Sequence, residues 1–180
     1  MNKMRLFIAI KFSPEIERIL TDLQSNMKES GIIGNYTSRQ NLHLTLAFIG
    51  EYNDPGIVME TLRKVIFKPF RLTLEEKTGN FGDILWVGIQ KNAVLMSLDQ
   101  KIRKALDDYG IHYDRKTFRP HITIIRKARV YSKHEKYINE IMLERGTMIV
   151  ERFSLMQSQR IEGKLVYTEL DCVNAKGVIK

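Results

Sequence analysis

The sequence predicts a mixed α+β fold in which strands pair mainly antiparallel. Some segments show the apolar and β-branched pattern of strands, and others carry apolar residues at helical spacing. The two kinds alternate along part of the chain, whereas elsewhere strand segments follow one another directly, as they do in hairpins. This combination favours an α+β arrangement over a purely parallel sheet.

The first half of the chain is predicted to contain two strands and two helices. A strand covers residues 4–11, and a helix covers residues 14–29, with Ser13 as N-cap and Pro14 in the first turn. A second strand covers residues 42–49. A second helix opens at residues 53–55, and its apolar positions continue to Ile66.

The second half is predicted to contain further strands around two helices. Strands at 70–74 and 84–89 flank a turn region at 79–82, and a helix at 93–109 ends at Gly110. A strand at 121–125, a helix at 132–143 and a closing antiparallel pair at 147–156 and 165–170 follow.

Composition indicates a protein with a polyanionic partner. The chain has 29 Lys and Arg residues against 21 Asp and Glu, a formal charge of +8. Such an excess favours partners such as RNA, although solvated basic surfaces are also common. A single cysteine, Cys172, excludes an intrachain disulfide and zinc-type Cys-His spacing. Neither a signal peptide nor a membrane span is apparent, so we expect a cytoplasmic protein, and a monomer because no long apolar stripe is apparent.

Two of the four histidines lie in matching contexts. His43-Leu44-Thr45-Leu46 and His121-Ile122-Thr123-Ile124 both belong to predicted strands. Because side chains alternate along a strand, histidine and threonine at i and i+2 share one face, and the apolar residues face the packing helices. Each tetrad therefore offers one imidazole and one hydroxyl to a surface.

A pair of such tetrads suits the hydrolysis of a cyclic phosphate. One group must accept a proton from the attacking water, and another must donate a proton to the leaving oxygen. Histidine titrates near neutral pH, so two imidazoles can divide these tasks. The threonine hydroxyls can donate to phosphate oxygens. No carboxylate cluster accompanies either tetrad, and we expect neither a metal nor another cofactor.

The segments 41–50 and 119–126 resemble the paired HxTx motifs of the 2H phosphoesterase superfamily. The strand at residues 5–10, the segment 81–89 and the closing region around 153–155 and Tyr167 extend the similarity over nearly the whole chain. Within the superfamily, the chain resembles the RNA 2′,3′-cyclic phosphodiesterases, also called 2′-5′ RNA ligases.

The resemblance implies one bilobal domain over residues 1–180, in which two pseudo-symmetric antiparallel sheet lobes with outer helices surround a central cleft. It also implies hydrolysis of an RNA 2′,3′-cyclic phosphate to a 2′-phosphomonoester, with RNA 3′ ends or cyclic nucleotides as partners. By this analogy His43 is the proton donor and His121 the proton acceptor. The residues alone do not assign these roles, because the tetrads are chemically equivalent.

Further residues are candidates for phosphate or RNA contacts. Arg126 is a candidate phosphate ligand beside Thr45 and Thr123, but strict alternation puts it on the face opposite His121 unless the strand ends or bulges. The candidates for base or RNA contacts are Phe81, Tyr36, Arg39 and Phe7. Core packing is the alternative for Phe7. We expect Trp86 in the core, and His112 and His134 as surface or turn residues.

Two other functions remain open from the sequence. The chain could bind nucleotides or RNA ends without turnover, which the two intact tetrads argue against. It could also join RNA ends through a 2′-5′ linkage, with an RNA hydroxyl in place of water at the same site.

Overall fold

The computed structural model describes residues 3–141 and 143–177, except for the side chain of Asn139. Its elements in chain order are β1 (Met4–Lys11), α1 (Pro14–Glu29), β2 (Ile33–Tyr36), a short 3₁₀ helix (Arg39–Asn41), β3 (His43–Tyr52), α2 (Pro55–Leu62), β4 (Phe70–Phe81), β5 (Ile84–Ile89), α3 (Ala93–Asp108), β6 (His121–Arg129), α4 (Ser132–Glu140), β7 (Thr147–Val150), β8 (Arg152–Ile161) and β9 (Lys164–Asn174).

The strands form two antiparallel sheets, which confirms the predicted α+β class. The first sheet has the order β3-β1-β8-β9, and the second has the order β2-β6-β5-β4-β7. Every pairing within them is antiparallel. Each tetrad strand pairs with the strand that precedes it across a long helix, β3 with β1 across α1 and β6 with β5 across α3. This repeated unit puts one tetrad in each sheet.

The long helices begin and end where local chemistry predicts. The Ser13 hydroxyl accepts a hydrogen bond from the Ile16 amide at 3.4 Å, and Pro14 occupies the first turn of α1. At the end of α3, Gly110 has φ of +65°. The Gly110 amide donates to Asp107 and the Ile111 amide to Leu106, which is a Schellman ending that favours glycine.

The structure corrects several predicted elements. Strand β2 was not predicted, because its glycine made the segment look like a loop. In the structure this glycine, Gly34, lets β2 lie close to β6, since a Cβ there would be 2.6 Å from Ile125 Cγ2 of the paired strand. Helix α2 ends at Leu62, short of Ile66, and α4 ends at Glu140. The region 79–82 is mostly strand, because Gly79 allows the Trp86 ring to lie across β4; a Cβ there would be 2.3 Å from that ring.

The predicted strand 147–156 is two strands in different sheets. Val150 pairs with Phe70 in the second sheet, whereas Arg152 pairs with Asn174 in the first. Both parts have strand composition, so local sequence did not indicate where the chain changes sheets. The closing pair therefore consists of β8 and β9 alone.

The main apolar core lies between the sheets and the helices. One cluster of buried residues includes Leu6 and Leu44 of the first sheet, Ile122 of the second, and Leu20 and Ile102 of the long helices. A small second cluster of Phe7, Ala9 and Met156 lies on the other face of the first sheet. Among the described residues, no helix is long and apolar enough to span a bilayer.

His134 is buried, so the prediction of a surface or turn position is wrong for this residue. Only 3% of its surface is exposed. It lies in the first turn of α4, where its Nδ1 accepts a hydrogen bond from the Tyr131 amide at 3.2 Å. This hydrogen bond holds the His134 ring against the N-terminal turn of α4. His112 is exposed, as predicted.

Candidate active site

The two tetrads present their histidines and threonines to a cleft, with apolar residues behind them. Leu44 and Leu46 of β3 are 0% and 1% exposed, and Ile122 and Ile124 of β6 are both 0% exposed. The intervening histidines and threonines are half-buried. The alternation predicted from the sequence therefore holds in both strands.

Both strands then bulge at equivalent positions. In β3, Thr45 pairs with Ala9 but Ala47 pairs with Ile8, so Leu46 is an extra residue. In β6, Thr123 pairs with Trp86 but Ile125 pairs with Leu85, so one extra residue, Ile124, lies between them. A bulge of this kind shifts the alternation by one residue. The residue five positions after each histidine is therefore brought to the histidine's face.

This shift places Arg126 in the cleft. Arg126 lines the same hollow as His121 and Thr123, although strict alternation predicted the opposite face. The equivalent residue after His43 is Phe48, which lines the adjoining hollows. The matching positions of the two sheets thus carry a cation on one side and an aromatic ring on the other.

His43 has both ring nitrogens in hydrogen bonds. Its Nδ1 lies 2.6 Å from the Asn41 carbonyl, and its Nε2 lies 2.9 Å from the Thr45 hydroxyl. Because a carbonyl only accepts, Nδ1 carries the proton and the neutral ring accepts at Nε2 from Thr45. The proton is thereby fixed on the nitrogen away from the cleft.

His121 is held in the same way. Its Nδ1 lies 2.6 Å from the carbonyl of Arg119, which, like Asn41, is two residues before the histidine. The Nδ1 proton is again donated to the backbone, and Nε2 is the nitrogen that can accept or donate a proton in the cleft. The two rings therefore have the same tautomer and the same anchoring.

Each histidine also packs against two aromatic rings. The His43 ring centre lies 5.0 Å from that of Phe7 and 5.1 Å from that of Tyr167. The His121 ring centre lies 5.2 Å from that of Phe81 and 6.2 Å from that of Trp86. The prediction of Trp86 as a core residue is wrong, since its half-buried ring lies beside His121 instead. These contacts restrict the orientation of both imidazoles.

One hollow of about 640 Å³ joins the two sheets and is lined by the histidine and the threonine of both tetrads. Its lining includes His43, Thr45, His121, Thr123 and Arg126. Tyr36 lines it as well, with its hydroxyl donating to the Ile32 carbonyl at 2.7 Å. The sequence predicted these residues as site candidates because they lie in or near the two tetrad segments, and the fold brings them to one hollow.

Other predicted contact residues lie less directly on this hollow. Arg39 is outside its lining, and its Nε is 2.9 Å from the Glu17 carboxylate in an ion pair. Phe7 is only 3% exposed, beneath His43. Phe81 is 37% exposed and lines a neighbouring hollow with His121. Of the predicted aromatic contacts, Phe81 is the most accessible.

Asn41 and Tyr167 belong to the site, although the sequence reasoning gave neither a role. The buried Asn41 amide group donates to the Leu165 carbonyl at 2.8 Å and accepts from the Tyr167 amide at 3.3 Å. It therefore ties β9 to the residue whose carbonyl anchors His43. In the sequence, the only local sign of this function is an asparagine two residues before the first tetrad.

The cleft lowers the pKa of His43 to about 4. Burial is the largest cause, and repulsion by Arg126, and by His121 when that ring carries a proton, lowers the pKa further, whereas the bond to Asn41 raises it. His43 is therefore neutral near pH 7. An anion bound beside Arg126 would oppose these causes and raise the pKa.

We expect the His43 ring of the free protein to titrate near pH 4 in an NMR titration of its Cε1 proton. Because the unfolded ring titrates near 6.5, the unfolded state binds more protons between these values, and stability falls as pH falls from 6.5 to about 4. The loss is at most about 3 kcal/mol, reduced by the solvent exposure of the ring. In His43→Gln, the melting temperature should fall less between pH 7 and pH 4.5; an equal fall in both proteins would contradict this.

Within the described part of the chain, no group of three or more His, Cys, Asp or Glu side chains is arranged to hold a metal ion. The polar groups of the cleft are instead imidazoles, hydroxyls, amides and the cationic side chains of Arg126, Arg160 and Lys164.

The fold and sequence match known proteins over almost the whole chain. The RNA 2′,3′-cyclic phosphodiesterase of Thermotoga maritima is 29% identical over 186 residues, covering 98% of this chain and 99% of the relative. The protein of the same name from Escherichia coli K12 is 32% identical over 130 residues, covering 69% of this chain and 72% of the relative. The structure of E. coli LigT complexed with 3′-AMP is 24% identical and has a TM-score of 0.81, covering 98% of this chain and 100% of that one.

A family model described as the 2′-5′ RNA ligase superfamily matches residues 12–162, a range that contains both tetrads, both bulges and Arg126. The chain therefore belongs to the 2′-5′ RNA ligase superfamily.

Proposed function

We propose that the chain hydrolyses the 2′,3′-cyclic phosphate at an RNA 3′ end to a 2′-phosphomonoester, by metal-independent acid–base catalysis between His43 and His121. The observation that carries the proposal is the convergence of two identically anchored imidazoles, one from each sheet, on one hollow. The relatives named RNA 2′,3′-cyclic phosphodiesterase support the same activity.

The reaction breaks the bond between phosphorus and the ribose 3′ oxygen. Water attacks phosphorus opposite that oxygen, so a base on one side takes the water's proton and an acid on the other side protonates the 3′ oxygen. Two imidazoles on separate strands suit this division better than two on one strand, because the attacking and leaving oxygens lie on opposite sides of phosphorus. Each transfer typically contributes about 10²–10⁴-fold to the rate.

The hydrogen bonds of the site prepare Nε2 of each ring for proton transfer. With Nδ1 donating to a backbone carbonyl, Nε2 is the free basic nitrogen of a neutral ring, or the acidic N–H of a charged one. Thr45 and Thr123 supply hydroxyls for the non-bridging oxygens, and Arg126 supplies positive charge that stabilises the transition state. The Thr45 hydroxyl must turn from His43 towards the phosphate when substrate binds.

The pKa of His43 bears on its role as proton donor. Without a bound anion the ring is neutral near pH 7, because burial and the nearby charge of Arg126 lower its pKa to about 4. A cyclic phosphate bound between the tetrads would bring a negative charge beside the ring and stabilise its protonated form. Substrate binding would thus be coupled to proton uptake by His43, after which the ring can donate to the 3′ oxygen while His121 accepts from water.

The aromatic rings suggest how the terminal nucleoside is held. Phe81 lies beside His121 and is exposed enough to stack on a base, and Phe48 and Phe118 line the same hollow of about 490 Å³. Phe7 is too deeply buried to offer a face to a base, so it is better suited to holding the His43 ring.

Hydrolysis in the presence of excess EDTA tests the proposal. Purified protein should convert adenosine 2′,3′-cyclic phosphate to adenosine 2′-phosphate at the same rate with and without EDTA, and chromatography should separate that product from the 3′-phosphate. Loss of activity in EDTA with recovery on adding a divalent ion would contradict the metal-independent mechanism. Stoichiometric binding without product over hours would instead indicate a binding protein.

A further inference from the structure

The cleft face of the first sheet continues beyond His43 towards a basic end. Along β1, Leu6, Ile8 and Ile10 face the main core, so Arg5 and Phe7 face the other side. Phe7 contacts the His43 ring, and Arg5 lies two positions further from it, about 6.6 Å along the strand. The sheet therefore leads directly from the catalytic ring to a guanidinium group.

Arg5 belongs to a hollow of about 670 Å³ that opens from the catalytic cleft. Its lining shares six residues with that of the cleft, among them His43, Arg126 and Arg160. It carries four cationic side chains against one carboxylate, Glu51. The cations are Lys3, Arg5, Arg126 and Arg160.

The arginines of this hollow are available to a ligand. In the described part of the chain, none of the ion pairs involves Arg5, Arg126 or Arg160. The Arg5 guanidinium lies 5.0 Å from the centre of the Phe48 ring, which fixes its position without neutralising its charge. Gln157 and Gln159 add amide groups to the same lining.

We infer that this hollow binds the phosphodiester on the 5′ side of the terminal nucleotide, with Arg5 as its specificity-determining residue, so that the preferred substrate is an RNA strand rather than a mononucleotide. The inference rests on the proposed function for the identity of the terminal group. Arg126 and Arg160 lie in both hollows and serve the reacting phosphate, whereas Arg5 lies only in the outer one.

A strand with a second phosphate explains the distribution of charge better than a single nucleotide does. One cyclic phosphate is satisfied by the tetrads with Arg126 and Arg160, which both line the cleft, and this leaves Arg5 and Lys3 of the outer hollow without an anion. The 5′ phosphodiester of the terminal nucleotide continues from the reacting group by one nucleotide unit, and the cleft face of β1 continues in the same way from His43 to Arg5. Contacts of this kind bind the backbone without reading its sequence.

The test compares substrates with and without that phosphodiester. Steady-state kinetics would use adenosine 2′,3′-cyclic phosphate and the dinucleotide ApA ending in the same cyclic phosphate. Arg5→Gln should lower kcat/KM for the dinucleotide roughly tenfold and change that for the mononucleotide less than about twofold. The dependence of log kcat/KM on log salt should be steeper by about 0.7 for the dinucleotide, and Arg5→Gln should remove the difference.

Arg71→Gln is the matched control, because Arg71 is an exposed arginine of β4 outside this hollow and its loss changes the net charge equally. Equal losses on both substrates in Arg5→Gln, or losses no larger than those in Arg71→Gln, would overturn the inference and leave the proposed function intact. If neither substrate is hydrolysed, the proposed function fails instead. Fluorescence polarisation with a labelled tetranucleotide 3′-phosphate then decides the inference: it holds only if Arg5→Gln weakens binding more than Arg71→Gln.

Discussion

His43→Ala and His121→Ala should each lower kcat for a 2′,3′-cyclic nucleotide by about 10²–10⁴-fold, because in the proposed mechanism each removes one of the two proton transfers. KM should change much less, since Thr45, Thr123 and Arg126 still line the hollow that we propose binds the phosphate. The double variant should be little slower than the slower single variant, because groups that act as a unit are not additive. Steady-state kinetics with all three variants measures this.

His112→Ala is the control for the histidine variants, since His112 is exposed and lies outside the cleft. It should retain full activity, and circular dichroism should show the same fold for all variants. Activity within about threefold of the wild-type value in either His43→Ala or His121→Ala would exclude the two-histidine mechanism for this protein.

Asn41→Ala should lower kcat by roughly 10- to 100-fold although its side chain touches no reacting atom. The substitution leaves the Leu165 carbonyl and the Tyr167 amide of β9 without their partner. Tyr167 packs on the His43 ring, so a shift of β9 moves that ring from its anchored position. Small displacements of a catalytic group can cost about 10²-fold in rate, and the loss of the two partly buried hydrogen bonds should cost about 1 kcal/mol of stability.

A positioning role predicts more than lost stability. In Asn41→Ala, kcat should fall with KM nearly unchanged, and the NMR titration of His43 should move towards the ordinary histidine value as the ring becomes more hydrated. Asn26→Ala is the control, because Asn26 is an exposed residue of α1. Lower thermal stability with unchanged kcat and an unchanged His43 titration would show that Asn41 has only a structural function.

Elements governed by local chemistry could be predicted closely. Strand β1, helix α1 and strand β5 have the predicted bounds, because apolar periodicity and caps act within a few residues. Strand β2 and the break between β7 and β8 could not be predicted, because they depend on which distant strand offers a pairing edge. The burial of His134 likewise depends on the fold around α4.

The candidate site divides in the same way. Both tetrads and their shared face follow from the period of a strand. The placement of Arg126 follows from a bulge, which depends on pairing with β5 and leaves no local mark in the sequence. The functions of Asn41, Tyr167 and Trp86 also depend on contacts between strands that are distant along the chain.

The sequence by itself determined the chemical groups of this protein, two imidazoles each with a hydroxyl on the same strand face, because side-chain alternation is a property of the backbone. Only the tertiary structure decided how these groups are arranged around one site. It placed the two strands in different sheets around one hollow, brought in Arg126 by a bulge, and lowered the pKa of His43 through burial and the nearby charge of Arg126. Pairing, burial and charge proximity arise between residues far apart in the chain, so they exist only once it has folded.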